Sequence, residues 1–170
     1  SGFQINFASS EIHTPGDTVH TLVAMNPAAL KVNVGDLEHG GHLIANSDAF
    51  TPQGLKLAGY EENPLEGESL SGYHVHGVPM TRLTLEAVQA TGLKHKEAER
   101  CKNFFALGLV FWMYDRPLEP TLKWFDEKFG QRPDIRRANE LALRAGYNFG
   151  NTAEIFQVHY RVRPAPQEPG

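Results

Sequence analysis

The sequence predicts an α/β fold, a mostly parallel sheet flanked by helices, with a helix-rich C-terminal half. Three observations carry this expectation. Three strand-like runs are each followed by a turn and a helix signal, the chain after residue 94 patterns as helices alone, and 170 residues with 41% apolar side chains suffice for one buried core.

In order along the chain, Phe3, Ile5 and Phe7 alternate with Gln4 and Asn6 as in a strand, and the opening reads as cut into from upstream. After the turn-rich residues 13–17, Val19 to Met25 forms a second strand, whose continuous Leu22-Val23-Ala24-Met25 predicts cover on both faces and a central position. Asn26 then caps a helix and Pro27 fits its first position, giving a short helix from Ala28 to Val34, closed by Gly35. Gly40-Gly41 reads as a turn, followed by a strand from His42 to Asn46 and a helix opened by Thr51-Pro52 that runs to about Ala58. Tyr73 to Val78 is the next strand, and Thr81 is placed to cap a helix through Gln89. Strand-to-helix units in series imply a three-layer, Rossmann-like arrangement.

Helices are expected at Glu97 to Tyr114, Glu119 to Phe129 and Pro133 to Ala145. The most apolar of them is expected to need the sheet as cover, so residues 1–162 read as one domain. Ile155 to Val162 alternates as an edge strand, and residues 163–170, with three prolines, read as a linker.

Composition excludes several functions. The longest apolar run, Phe104 to Tyr114, is too short for a membrane helix, which needs roughly 20 residues. Net charge is −7 over residues 1–93, +3 over 94–144 and 0 beyond, without the concentrated basic face that nucleic acid requires. A single cysteine, Cys101, forbids an intrachain disulfide and an all-cysteine metal cluster, and fits a reducing, cytoplasmic compartment.

Open α/β sheets bind ligands beyond the carboxyl ends of their strands, so Asn26 and the turn Asn46-Ser47-Asp48 are the candidate ligand-facing residues. Asn26 and Asn46 also suit purely local work, as a helix cap and a turn closure. No Walker loop or G-x-G-x-x-G occurs, and no serine occupies a nucleophile elbow. His39-Gly-Gly-His42 and His74-x-His76 lack a third ligand at recognisable spacing and read as surface or hydrogen-bonded histidines; Cys101 reads as a small core residue. No residue takes a catalytic or metal-binding role on these grounds.

Five phrases together carry a family resemblance: TPGD (14–17), VAMNPAAL (23–30), NPLEGESL (63–70), KNFFALGL (102–109) and AGYNFGNTAE (145–154). In this order and spacing the whole chain resembles the gamma domain of the 2-oxoacid:ferredoxin oxidoreductases, in the form fused to the front of the alpha subunit of the 2-oxoglutarate enzyme. The family's N-x-D turn appears as Asn46 to Asp48, whereas its TTE appears as Thr152-Ala153-Glu154. The resemblance implies oxidative decarboxylation of a 2-oxoacid on thiamine pyrophosphate with magnesium, electrons leaving through an iron-sulfur cluster to ferredoxin, and coenzyme A as co-substrate, or the reverse carboxylation. It further implies that this fragment binds none of those cofactors alone, that a thiamine-binding domain follows residues 163–170, and that the remaining alpha subunit, a beta subunit and ferredoxin are the partners. A pyruvate or branched-chain oxoacid enzyme, a non-catalytic adaptor of the same fold, and a nicotinamide enzyme with its glycine fingerprint before Ser1 are the competing readings.

Overall fold

The computed structural model describes residues 19–153; the segments expected at 3–7, 13–17, 155–162 and 163–170 lie outside the described residues. Two compact units follow one another, meeting in sequence at Pro79 and Met80, where a single domain without an internal boundary is expected from the sequence.

The first unit is built on three parallel strands, β1 (Val19–Ala24), β2 (Leu37–Asn46) and β3 (His74–Val78), in the order β1-β2-β3. The central position expected for β1 therefore belongs, among the described strands, to β2. Helix α1 (Pro27–Asn33) connects β1 to β2, and α2 (Pro52–Leu57) lies between β2 and β3. Both helices start as their sequences dictate. Asn26 and Thr51 accept hydrogen bonds from the backbone N–H groups of Ala29 and Gly54, and a proline follows each cap.

Gly40 and Gly41 lie within β2, whose start moves forward to Leu37, instead of forming a turn ahead of it. The register jumps from Val19↔Leu37 to Thr21↔His42, so the extra β2 residues bulge out. Gly40 adopts φ +80°, open to glycine at no steric cost, and donates its N–H to the carbonyl of Gly72 at 2.8 Å. A Cβ on Gly41 would sit 2.9 Å from the carbonyl oxygens of Glu38 and His20.

One sheet face, with Leu22, Ala24, Leu43 and Ala45, packs with Leu30 of α1, Leu55 of α2, Phe50 and Leu70 into a buried cluster. The opposite face presents Thr21, Val23, Ile44, Asn46 and Val78, all at most 2% exposed, beside His42, His74 and His76. Burial on both faces is what the uninterrupted apolar run of β1 predicts.

The second unit is helical: α3 (Met80–Val88), α4 (His95–Arg100), α5 (Lys102–Met113), α6 (Glu119–Phe129) and α7 (Pro133–Thr152). Helix α3 begins directly after Pro79, so Thr81 lies in its first turn and is not its cap. The helix expected from Glu97 to Tyr114 divides at Cys101, although neither Gly nor Pro marks the break. At its far end α5 closes through Asp115 in the left-handed region (φ 55°), with the Arg116 N–H bonded to the Phe111 carbonyl at 2.8 Å.

Helix α7 runs through Gly146 to Thr152, past the Ala145 expected as its end. Its glycines act as contact points, not stops. A Cβ on Gly146 would fall 1.9 Å from the Phe105 carbonyl oxygen, and one on Gly108 of α5 would fall 2.0 Å from that of Leu143. The two backbones thus touch, and Gly150 receives the Trp112 ring at a distance that leaves no room for a methyl group. Beside them Phe104 meets Phe125 of α6 edge-on at 4.8 Å. Helix α5 accordingly takes cover from α7 within its own unit. Among the described residues, no helix is long and apolar enough to cross a membrane.

Replacing Gly146 by Ala should destabilise the chain by about 1–3 kcal/mol, because the gain in helix propensity is smaller than the cost of forcing α5 and α7 apart. Gly35, with open space around its Cβ position and no positive φ, is the control: Gly35→Ala should leave the thermal unfolding midpoint unchanged or slightly raised. Equal midpoints for both variants would contradict the close crossing.

Candidate functional site

Because β1, β2 and β3 run parallel, their carboxyl ends open at the same edge of the sheet, and the polar residues found there are those expected from the sequence. Asn26 follows β1 in extended conformation (φ −158°, ψ 168°), half-buried, with its Oδ1 accepting the Ala29 N–H at 2.8 Å. Asn46 ends β2, only 1% exposed, and its Oδ1 accepts the Asp48 N–H at 3.3 Å, shaping a single turn over Ser47–Ala49. Ser47 is half-buried and its Cβ lies 3.7 Å from the Cβ position of Gly77 in β3, while Asp48 is exposed.

Asn46 and Ser47 therefore share the end of the β2–β3 pair. Asn26 instead lines a groove of about 460 Å³ between α1 and α2, reached by Ala49 but by neither Asn46 nor Ser47. Both asparagines perform the local backbone work expected of them.

A second hollow of about 330 Å³ lies over residues 59–69 and is bordered by Glu61, Glu62 and Glu68. Its turn is fixed by Asn63, whose Oδ1 accepts the Leu65 N–H at 3.0 Å. Lys31 donates to the Gly59 carbonyl and stands 5.0 Å over the Tyr60 ring. Three carboxylates around this hollow oppose an anionic ligand.

The histidines regroup across strands. His39 stacks on Tyr73 at 5.9 Å, while His42 stacks between His74 (5.0 Å) and His76 (5.4 Å), with His42 Nδ1 3.1 Å from His76 Nε2. This grouping is invisible in the sequence, since only the β2–β3 register brings His42 between the other two. Among the described residues, no three His, Cys, Asp or Glu side chains are arranged to hold a metal ion. Burial, then the neighbouring His42 and His74, pull the His76 imidazole down to about 4, and burial followed by His74 lowers His42. Burial and then the Glu97 carboxylate push the Cys101 thiol up to about 11. At neutral pH His76 is an uncharged ring and Cys101 a thiol, the wrong form for a nucleophile.

The sequence profile of the pyruvate ferredoxin/flavodoxin oxidoreductase family matches residues 1–149. The chain belongs to this family. It is 53% identical over all 170 residues to the 2-oxoglutarate oxidoreductase subunit KorA of Mycobacterium tuberculosis, covering 100% of this chain and 26% of that relative. Its fold is similar to part of the 2-oxoglutarate:ferredoxin oxidoreductase from Magnetococcus marinus, a structure with 2-oxoglutarate, coenzyme A and succinyl-CoA bound. The TM-score is 0.62 at 19% identity, over 91% of this chain and 23% of that one. The chain thus spans about a quarter of the length of the curated relative it matches. In this member of the pyruvate ferredoxin/flavodoxin oxidoreductase family, the strand ends present amides and a hydroxyl, and the histidines form a separate group on β2 and β3.

The folded His76 binds its proton less readily than an unfolded histidine, whose ordinary value is 6.5. Unfolding therefore takes up protons between about pH 4 and 6.5, so stability rises with pH across this window and is lost on acidification through it. NMR titration should give a His76 ring midpoint near 4, and His76→Gln should flatten the pH dependence of the unfolding midpoint. A His76 midpoint at or above 6.5 would contradict the burial described.

Proposed function

We propose that this chain is the gamma-type domain of the alpha subunit of a 2-oxoacid:ferredoxin oxidoreductase whose substrate is 2-oxoglutarate. The observation that carries the reading is 53% identity along the whole chain to a subunit named for 2-oxoglutarate. In the reaction, a 2-oxoacid and coenzyme A give acyl-CoA and carbon dioxide, and two electrons pass to ferredoxin; the carboxylation direction is the reverse. Residues 1–162 form the domain in this reading, and 163–170 lead to a thiamine-binding domain of the same cytoplasmic subunit.

An iron-sulfur cluster of such an enzyme does not fit this chain's residues. One cysteine, buried and held as a thiol, cannot supply the four thiolates of a cluster, and among the described residues no three His, Cys, Asp or Glu side chains are arranged to hold a metal ion. Thiamine pyrophosphate, magnesium and the iron-sulfur cluster belong to the following domain and to a beta subunit. This domain supplies shape and polar contacts: Ser47 at the end of the β2–β3 pair faces the substrate or coenzyme A, with Asn46 fixing the turn that presents it, while Asn26 caps α1 at the end of β1.

The test uses the full-length subunit assembled with its beta partner, measuring ferredoxin reduction that depends on 2-oxoglutarate and coenzyme A. Turnover should be faster with 2-oxoglutarate than with pyruvate or branched-chain oxoacids, and the 170-residue chain alone should be inert. Ser47→Ala should raise KM for coenzyme A or 2-oxoglutarate about fivefold, the value of roughly 1 kcal/mol for one lost hydrogen bond, with little change in kcat. Turnover by the isolated chain, or a preference for pyruvate, would overturn the assignment.

A further inference from the structure

The β2–β3 pair places three imidazoles on one face of the sheet. His42 is the register partner of His74, and Ile44 that of His76, so all three side chains leave neighbouring strands on the same side. His74 is exposed, whereas His42 and His76 are half-buried and still reach solvent. The two half-buried rings meet: His42 Nδ1 lies 3.1 Å from His76 Nε2, with the ring planes 11° apart. Parallel pairing of the strands fixes that separation, so the two nitrogens are held together by the sheet and not by a loop.

That spacing suits a metal ion. Two nitrogens bound to one ion at about 2.0–2.1 Å stand roughly 2.8–3.4 Å apart in square or tetrahedral arrangements, the geometries of copper, nickel and zinc sites. A ligating imidazole must also be neutral, because an imidazolium has no lone pair to give. Burial, then His42 and His74, keep His76 neutral down to about pH 4, and burial followed by His74 lowers His42. At neutral pH each ring therefore carries one N–H, and one ring donates it to the other. A change of tautomer in the donor ring leaves the protons on His42 Nε2 and His76 Nδ1, so both facing nitrogens become electron-pair donors with no proton gained or lost. Magnesium and calcium prefer oxygen ligands and are poorly served by such a pair. Among the described residues no group of three His, Cys, Asp or Glu side chains converges on one ion, which leaves the remaining positions to water.

We propose that His42 Nδ1 and His76 Nε2 together chelate a divalent transition-metal ion of the zinc class, whose other positions are filled by water. The ion replaces the hydrogen bond between the two rings and ties β2 to β3. It takes no part in turnover. Nothing in the function proposed above calls for it, and it stands whether or not that assignment holds.

The experiment uses the full-length subunit assembled with its beta partner. Neutral imidazoles are labelled with diethylpyrocarbonate, with and without micromolar zinc, and the rate at each histidine is read by peptide mass spectrometry. His42 and His76 should react about tenfold more slowly once zinc exceeds its dissociation constant tenfold, and EDTA should restore their rates. His39 and His95, exposed and outside the pair, should react equally with and without zinc. In His42→Gln the zinc protection of His76 should disappear, and in His76→Gln that of His42, each in protein whose thermal unfolding midpoint shows it folded. Protection that persists in either variant would place the ion on other residues and overturn the proposal. Should both variants unfold, the parent decides alone: equal labelling of His42 and His76 with and without zinc, whether fast or slow, overturns it.

Discussion

Parallel pairing of β1, β2 and β3 is the constraint from which the candidate site follows. Parallel neighbours cannot be joined by a tight hairpin; each connection must carry the chain back over the sheet. The returns are α1 and α2, and each must start close to a strand end. Asn26, Asn46 and Thr51 meet that need through side-chain bonds to backbone N–H groups, which gathers polar side chains at one edge of the sheet. The same geometry sets α1 beside α2 and leaves a trough where their facing side chains are small. Polar amides at the strand ends and an apolar groove thus arise from one topological requirement.

The helical unit depends on a different device, contact between the backbones of α5 and α7. Gly108 and Gly146 each face a carbonyl of the opposing helix, so neither position tolerates a side chain. Close approach lets α5, apolar on nearly every side, bury a long strip against α7, and Trp112 lies over Gly150 in the same seam. Helix propensity disfavours glycine by about 1 kcal/mol, and packing outweighs it here.

Legibility in the sequence divided along the range of the interactions. Asn26-Pro27 and Thr51-Pro52 identified α1 and α2 because a cap and its proline act over three residues. The limits of α6 were equally plain from Glu119-Pro120 and the turn after Phe129. The sequence ends α7 at Ala145 and reads Gly40-Gly41 as a turn, whereas the helix continues through Gly146, where glycine permits a helix contact, and Gly40-Gly41 permit a strand bulge. The division at Cys101 left no mark in the residues around it. Asn26, Asn46 and Ser47 lie at strand ends, where the sequence places them, but the groove needed the placement of two helices, and the meeting of His42 with His76 needed the cross-strand register.

The His76 imidazole is neutral, the Cys101 thiol is protonated and hidden, and the carboxylates around residues 59–69 repel anions. The central claim is that this domain shapes and contacts while groups elsewhere react. It is tested most directly by combining His42→Gln, His76→Gln and Cys101→Ala in the assembled enzyme and measuring kcat/KM for 2-oxoglutarate on protein shown to be folded. The account predicts a value within about threefold of the parent, since none of the three acts in the transition state. A loss of roughly a hundredfold to ten-thousandfold, the contribution of a general acid or base, would contradict it.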